Sequence, residues 1–137
     1  MTTDRTKSEF PEHNDENRRI WDTNAQRWDD RIGDGNDFQT HLIEPATERL
    51  LAISAGDAIL DIACGAGRFA RRMAELGARV VAFDYSARFI ERAHARTPDG
   101  IAVEYQVADA AQIDTLLSLG VDRFVRCLVF RLWTRVQ

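Results

Sequence analysis

Cysteine, histidine and long apolar runs are all scarce in this chain of 137 residues. Two cysteines cannot form a disulfide scaffold, and with three scattered histidines they predict neither a zinc site nor a cysteine–histidine nucleophile. No run of 18 apolar residues is present, so we expect no membrane-spanning helix. Apolar types nevertheless make up 45% of the chain, too many for a disordered protein. The length therefore predicts one domain with a buried core.

Basic residues are also too few to suggest a nucleic-acid surface, because the net charge is −4. The first ten residues, MTTDRTKSEF, lack the apolar segment of a secretory signal, so a cytoplasmic location is expected. Acidic residues are absent from the end of the chain: all 22 lie in residues 1–122, whereas residues 123–137 contain four arginines and no acid. Such a change marks the tail as a different kind of segment.

The N-terminal part of the sequence predicts a polar arm followed by helices. Residues 1–15 show no periodicity and are predicted to be disordered. From about Glu16 an apolar stripe of helical spacing appears, formed by Trp21, Ala25, Trp28 and Ile32, for which we expect a packing role. A second helix is predicted to begin near Glu44 and Pro45 and to bury Ala46, Leu50 and Ile53.

Strands and helices then alternate. Strands are predicted over 58–62, 79–84 and 102–107, and helices over 68–76, 86–96 and 113–119. Ser86 is predicted to cap its helix, and Arg68, Arg71 and Arg72 to form the solvated face of the preceding one. This alternation predicts an α/β fold: a Rossmann-like, doubly wound parallel sheet of about four strands, preceded by N-terminal helices.

The candidate site lies where three of these strands end, since ligands of open α/β sheets bind at that edge. The first strand runs into a turn in which Gly65 and Gly67 permit a tight backbone path and close approach of a ligand. Asp84 ends the second strand, about 20 residues further on, where a carboxylate accepts hydrogen bonds from a ribose diol. Asp109 follows the third strand and offers an acceptor beside a flat base.

Asp61 distinguishes two ligand classes that share this layout. The segment from Gly65 to Ala70 fits the dinucleotide pattern G-x-G-x-x-[GA], so an oxidoreductase is one alternative. A carboxylate at the strand end would repel a pyrophosphate, at a cost of more than ~1 kcal/mol at about 5 Å. It would instead favour the ammonium and sulfonium of S-adenosylmethionine. Asp61 thus favours S-adenosylmethionine over a nicotinamide dinucleotide.

The segment Leu60–Gly67 resembles the glycine-rich first motif of class I S-adenosylmethionine-dependent methyltransferases. Asp84, followed by Tyr85, resembles their ribose-binding acidic position, and Asp109 with Ala110 resembles the motif beside adenine. Ala63 stands where many members have glycine. The resemblance implies S-adenosylmethionine as cofactor, a small-molecule methyl acceptor and direct methyl displacement from the sulfonium. It identifies no catalytic base.

The basic tail departs from this family pattern. We interpret residues 16–124 as the cofactor-binding part of the domain and residues 125–137 as an atypical tail. A buried fourth strand should be nearly continuous in apolar residues, yet Arg126 and Arg131 interrupt it. We hypothesise that the reading frame is lost just after Phe124, which translation of the other frames of the coding DNA would test.

The same hypothesis supplies an alternative to an active enzyme. A truncated sheet would expose an edge and favour self-association. A chain of this length would also have negligible turnover, because part of the acceptor site would be missing. The alternative is thus a truncated, catalytically inactive cofactor-binding fragment.

Overall fold

The computed structural model describes residues 11–32, 35–112, 114, 124 and 126–129. The helices are α1 (Pro11–Ile32), α2 (Glu44–Leu51), α3 (Arg68–Glu75) and α4 (Ala87–Arg96), and a π-helical turn (Gln39–Ile43) leads directly into α2. The strands are β1 (Ala58–Ile62), β2 (Arg79–Asp84), β3 (Val103–Val107) and β4 (Arg126–Val129). The predicted helix over 113–119 lies outside the described residues, apart from Asp114.

The four strands form one parallel sheet in the order β3-β2-β1-β4. α3 connects β1 to β2, and α4 connects β2 to β3, as the alternating pattern predicts. The Rossmann-like fold class, with about four strands and preceding helices, is confirmed. Because all four strands are parallel, their carboxyl ends meet at one edge of the sheet and can share a ligand.

The core forms because alternate residues of a strand point to opposite faces of the sheet. On one face, Ile59 and Val80 pack with Ala70 and Met73 of α3. On the other, Leu60 packs against Phe83, and the partly buried Phe124 joins this cluster. Apolar residues therefore lie on both faces of β1 and β2, which fixes the strand ends as a rigid base for the loops above them.

The N-terminal helix begins earlier than the sequence predicts. Residues 11–15, assigned to the disordered arm, are part of α1, and residues 1–10 lie outside the described part of the chain. Proline is compatible with the first helical turn, so Pro11 can begin the helix. Asn14 also donates a hydrogen bond to Asp109, 95 residues away. That tertiary contact stabilises the first helical turn of α1, although its polar sequence shows no helical periodicity.

One expected core residue of α2 is exposed. Leu50 has 87% of its surface accessible, so the prediction that it is buried is wrong. Its neighbour Leu51 packs against the core instead, together with Ile53. One residue is a rotation of about 100° in a helix, enough to exchange the buried side chain for its neighbour.

α1 is attached to α4 along its second half. The buried carboxylate of Asp29 forms ion pairs with Arg92 and Arg96, each with an N–O distance of 2.5 Å. About two turns earlier in α1, the ring of Trp21 lies 6.0 Å from the ring of Phe89. Removing one partner of a buried ion pair costs about 3–5 kcal/mol, so these contacts hold α1 across the carboxyl edge of the sheet.

None of the described helices is both long and apolar enough to cross a membrane.

β4 lies beside β1, where a fourth strand is expected. It is parallel to β1 and aligned so that Arg126 is opposite Ile59 and Val129 is opposite Ile62. Residues 126–129 of the atypical tail therefore pair with the sheet. The hypothesis that this tail is out of frame concerns its coding DNA and stays a prediction.

Candidate functional site

A cavity of about 740 Å³ opens at the carboxyl ends of the strands, between the sheet and α1. Seven of the eight site residues predicted from the sequence line it: Asp61, Ala63, Gly65, Asp84, Tyr85, Asp109 and Ala110. Gly67, the eighth, is not among its lining residues. A volume of this size is typical of small-molecule sites. The structure thus brings together residues that are separated by up to 49 positions in the chain.

The loop between β1 and α3 has three residues in the left-handed region of backbone conformation. The φ values are 60° at Ala63, 55° at Gly65 and 74° at Gly67. Glycine adopts this conformation readily, whereas an L-residue such as Ala63 pays about 1–2 kcal/mol for it. The loop is held by hydrogen bonds that Cys64 N donates to Phe83 O and Gly67 N donates to Cys64 O, both of 3.0 Å.

Gly67 does not line the cavity; its role is in packing. A Cβ at this position would lie 2.5 Å from the hydroxyl oxygen of Tyr105 and 2.9 Å from its ring carbons. That hydroxyl is in turn 3.0 Å from the hydroxyl of Thr97. Gly67 therefore allows the first turn of α3 to approach β3 closely.

Gly67→Ala is expected to lower the free energy of unfolding by about 2–3 kcal/mol, through left-handed strain and the contact with Tyr105. Gly65→Ala is the matched control, because its Cβ would meet only a ring carbon of Phe89, at 4.0 Å. It should cost about 1–2 kcal/mol, from strain alone. Urea denaturation measures both. Equal losses would show that Tyr105 imposes no steric limit.

Asp84 holds the glycine-rich loop in place. One of its carboxylate oxygens, Oδ2, accepts a hydrogen bond from Gly65 N, and Oδ1 accepts one from Ser86 N, both of 2.9 Å. Burial raises the pKa of Asp84, and these backbone hydrogen bonds oppose that rise. Each carboxylate oxygen has a second lone pair, so the side chain can still accept bonds from a ligand. Asp84 is therefore both a loop anchor and a candidate ligand acceptor.

Asp61 is 2% exposed and lines the base of the cavity. Burial, and then the nearby charge of Asp84, raise the pKa of Asp61 to about 8. The sequence predicts a charged Asp61 that repels a pyrophosphate. With this raised pKa, Asp61 is instead protonated in most molecules at neutral pH. The repulsion is therefore weaker than expected. A cation bound beside Asp61 would lower its pKa and restore the charge.

Asp109 closes the other end of the cavity and is held by α1. Its Oδ2 accepts hydrogen bonds from Asn14 Nδ2 at 2.6 Å and Arg18 Nη2 at 3.1 Å. Its Oδ1 accepts one from Ala111 N at 2.9 Å. The guanidinium carbon of Arg18 also lies 5.8 Å from the centre of the Tyr85 ring. Asn14 and Arg18 belong to a segment that the sequence pattern leaves without a site role, so only the fold reveals them.

One arginine of α3 is buried, contrary to the prediction of a solvated face. Arg71 is 9% exposed, and its Nη1 donates a 2.6 Å hydrogen bond to Ala66 O in the glycine-rich loop. The other two arginines form ion pairs with α2, Arg68 with Glu44 and Arg72 with Glu48. The sequence pattern shows three polar positions on one helix. It does not show that their partners are a loop carbonyl and two glutamates of α2.

Apolar side chains from α1, the π-helical turn and α3 form one part of the cavity wall. Trp21, Trp28 and Ile32 line it from α1, and Ile43 and Phe69 complete it. The two tryptophan rings meet edge to face, with centroids 5.8 Å apart. They therefore pack against each other, as expected, and also face the cavity.

The cavity has little nucleophilic character. Burial and the charges of Asp61 and Asp84 raise the pKa of Cys64 well above its usual value, so its thiol stays protonated. Within the described residues, no group of three or more histidine, cysteine, aspartate or glutamate side chains is placed to hold a metal ion. The arrangement suits binding and alignment of a reactive cofactor better than covalent catalysis by the protein.

A family comparison agrees with this geometry. The family described as "Methyltransferase domain" matches residues 59–134, more than half of the chain. The chain belongs to this family. The matched segment begins within β1 and includes the glycine-rich loop, Asp84 and Asp109 of the methyltransferase domain.

Curated relatives match the methyltransferase domain in sequence. A ubiquinone biosynthesis O-methyltransferase of Methylocella silvestris is 40% identical over 85 residues, covering 50% of this chain and 33% of that protein. A demethylmenaquinone methyltransferase of Clavibacter sepedonicus is 39% identical over 79 residues, covering 58% of this chain and 31% of that protein. The chain thus spans about a third of the length of these relatives.

Solved structures match the methyltransferase domain in fold. The DhpI–SAH complex is 27% identical, with a TM-score of 0.52, covering 66% of this chain and 42% of that one. The magnesium protoporphyrin IX methyltransferase of Synechocystis PCC 6803 with bound SAH has a TM-score of 0.55 at 22% identity, covering 67% of this chain and 49% of that one. At that identity the second likeness concerns the fold alone.

Proposed function

We propose that this chain binds S-adenosylmethionine in the cavity at the ends of β1, β2 and β3 and takes part in methyl transfer to a small molecule. The observation that carries the proposal is the pairing of a left-handed glycine-rich loop with Asp84, which anchors Gly65 at 2.9 Å while facing the cavity. Family membership supports the same conclusion.

The residues present fit this cofactor. A Cβ built on Gly65 meets only a ring carbon of Phe89, at 4.0 Å, so the loop leaves room for a ligand. Asp61 is a buried carboxyl that a bound cation would ionise, because a cation beside it lowers its raised pKa. We assign Asp61 to the cationic methionine end, Asp84 to the ribose hydroxyls, and Tyr85, Asp109 and Ala110 to the adenine end.

S-adenosylmethionine, when bound, supplies a methyl group on a sulfonium that is already activated for displacement. The residues of the chain bind and orient it, and alignment of two reactants is worth ~7–11 kcal/mol. The apolar wall formed by Trp21, Trp28 and Ile43 supports a flat, largely apolar acceptor. Because two relatives are named for quinone biosynthesis or a menaquinone precursor, small ring compounds are the acceptors to test first.

Calorimetric titration with S-adenosylmethionine, its demethylated product and NAD tests the proposal. We expect binding of the first two without NAD binding. NAD binding alone would support the dinucleotide alternative, and no heat with any ligand would overturn the proposal in favour of a domain that only packs against a partner. NAD must be tested beside the demethylated product because a neutral Asp61 repels a pyrophosphate less than a charged one does.

A second candidate is cofactor binding by this chain without turnover, the alternative that the sequence leaves open. Transfer of a labelled methyl group to any acceptor by this chain would exclude it.

Self-association through the outer edge of β4 and a cytoplasmic location stay predictions. Sedimentation velocity tests the former, and a monomer at all concentrations would contradict it.

A further inference from the structure

The first half of α1 contacts the adenine end of the cavity through two side chains that the family motifs do not include. Asn14 and Arg18 both donate to the same oxygen of Asp109, at 2.6 and 3.1 Å. They are four residues apart and therefore on one face of the helix. Asn14 also lines the cavity, as do Tyr85 and Asp109.

Arg18 contacts the ring of Tyr85 as well as the carboxylate of Asp109. Its guanidinium carbon lies 5.8 Å from the centre of the Tyr85 ring, and its side chain is 36% exposed. A guanidinium is planar and stacks on aromatic rings, in addition to donating several hydrogen bonds. Arg18 is not itself among the residues that line the cavity, but it contacts Asp109 and Tyr85, which both line it.

We propose that Asn14 and Arg18 form a clasp over the purine end of the cavity, in which Arg18 contacts a bound adenine and slows its dissociation. This inference rests on the proposed function, because it requires a nucleoside ligand. The clasp is anchored by the second half of α1, where Asp29 is paired with Arg92 and Arg96. Arg18 is paired with the buried Asp109 at 3.1 Å and with the exposed Asp15 at 3.5 Å.

The test compares ligand kinetics for Arg18→Ala and for the control Arg19→Ala, which removes the adjacent, exposed arginine of α1. The probe is S-adenosylhomocysteine, followed by surface plasmon resonance. We expect the dissociation rate of Arg18→Ala to rise about tenfold, with association changed by less than about threefold. Arg19→Ala should match the unmodified chain. An unchanged dissociation rate for Arg18→Ala would overturn the clasp.

Two further measurements separate a contact with the base from a loss of helix packing. Adenosine carries the base without the amino-acid part, so its affinity should fall by the same factor in Arg18→Ala. Arg18→Lys keeps the charge but loses the planar face, so we expect an intermediate dissociation rate. Unchanged adenosine affinity, or full rescue by lysine, would overturn the assignment to the base.

The clasp and the proposed function fail in different ways. If the unmodified chain binds the product and Asp84→Ala weakens that binding, the proposed function holds whatever Arg18→Ala does. If the unmodified chain binds neither the product nor adenosine, both proposals are overturned. Thermal melting of the unliganded variants measures the packing contribution of Arg18 separately. Because its partner Asp109 is buried, we expect Arg18→Ala to melt about 2–5 °C below Arg19→Ala.

Discussion

Asp84→Ala is expected to weaken binding of S-adenosylhomocysteine by about 30- to 150-fold, or about 2–3 kcal/mol. The substitution removes an acceptor from the cavity and the hydrogen bond from Gly65 N that holds the glycine-rich loop. Isothermal titration measures the change. Asp57→Ala is the matched control, because Asp57 also accepts a backbone hydrogen bond, from Ser54 N, but precedes β1 at the opposite edge of the sheet.

The loop and ribose roles of Asp84 can be separated with Asp84→Asn and a modified ligand. The amide has the shape of the carboxylate but only one acceptor oxygen. If Asp84 accepts from the ribose, the unmodified chain should prefer adenosine to 2′-deoxyadenosine by about tenfold, and Asp84→Asn should lose most of that preference. A preference that survives in Asp84→Asn, or an unchanged dissociation constant in Asp84→Ala, would contradict the assignment.

Binding of S-adenosylmethionine should strengthen by about 50-fold between pH 6 and pH 8. The pKa of Asp61 is raised to about 8 in the unliganded chain by burial and by Asp84. A cationic ligand binds the ionised form better, so it must first displace a proton at lower pH. Affinity then rises about tenfold per pH unit until the side chain is ionised, and it levels off above pH 8.

Asp61→Asn should bind like the protonated form and show little pH dependence over this range. The pH dependence of the folding stability of the unliganded, unmodified chain gives an independent check on the pKa of Asp61. Because the folded pKa lies above the usual 3.8, the neutral Asp61 stabilises the fold fully below pH 4, and this contribution is lost as the pH rises through about 8. A flat affinity profile for the unmodified chain would show that Asp61 does not meet a cation.

Much of the fold can be predicted from local pattern. β1 and β2 occupy the predicted ranges because short, buried parallel strands appear as compact apolar runs between turn residues. α4 begins after Ser86, whose side chain accepts a hydrogen bond from Phe89 N as a capping residue should. Phe89, Ile90 and Ala93 are buried on the predicted face of that helix. These features depend on neighbours within a few residues.

What the sequence misses depends on distant contacts. The helical turn at Pro11 is held by the contact of Asn14 with Asp109, and the burial of Arg71 follows from the carbonyl of Ala66. The ionisation of Asp61 was also inaccessible, since its pKa depends on desolvation and on Asp84 in the neighbouring strand. In each case a polar residue has a partner that only the folded chain brings close.

The buried ion pairs of Asp29 have a consequence for local unfolding. Backbone amides from about residue 21 onward in α1 are tied to α4 and should exchange hydrogen with solvent only when the whole domain unfolds. Amides near Arg18 depend mainly on Asp109 and should exchange through a smaller, local opening. A single helix would then show two protection levels, and a bound nucleoside should raise the lower one toward the higher.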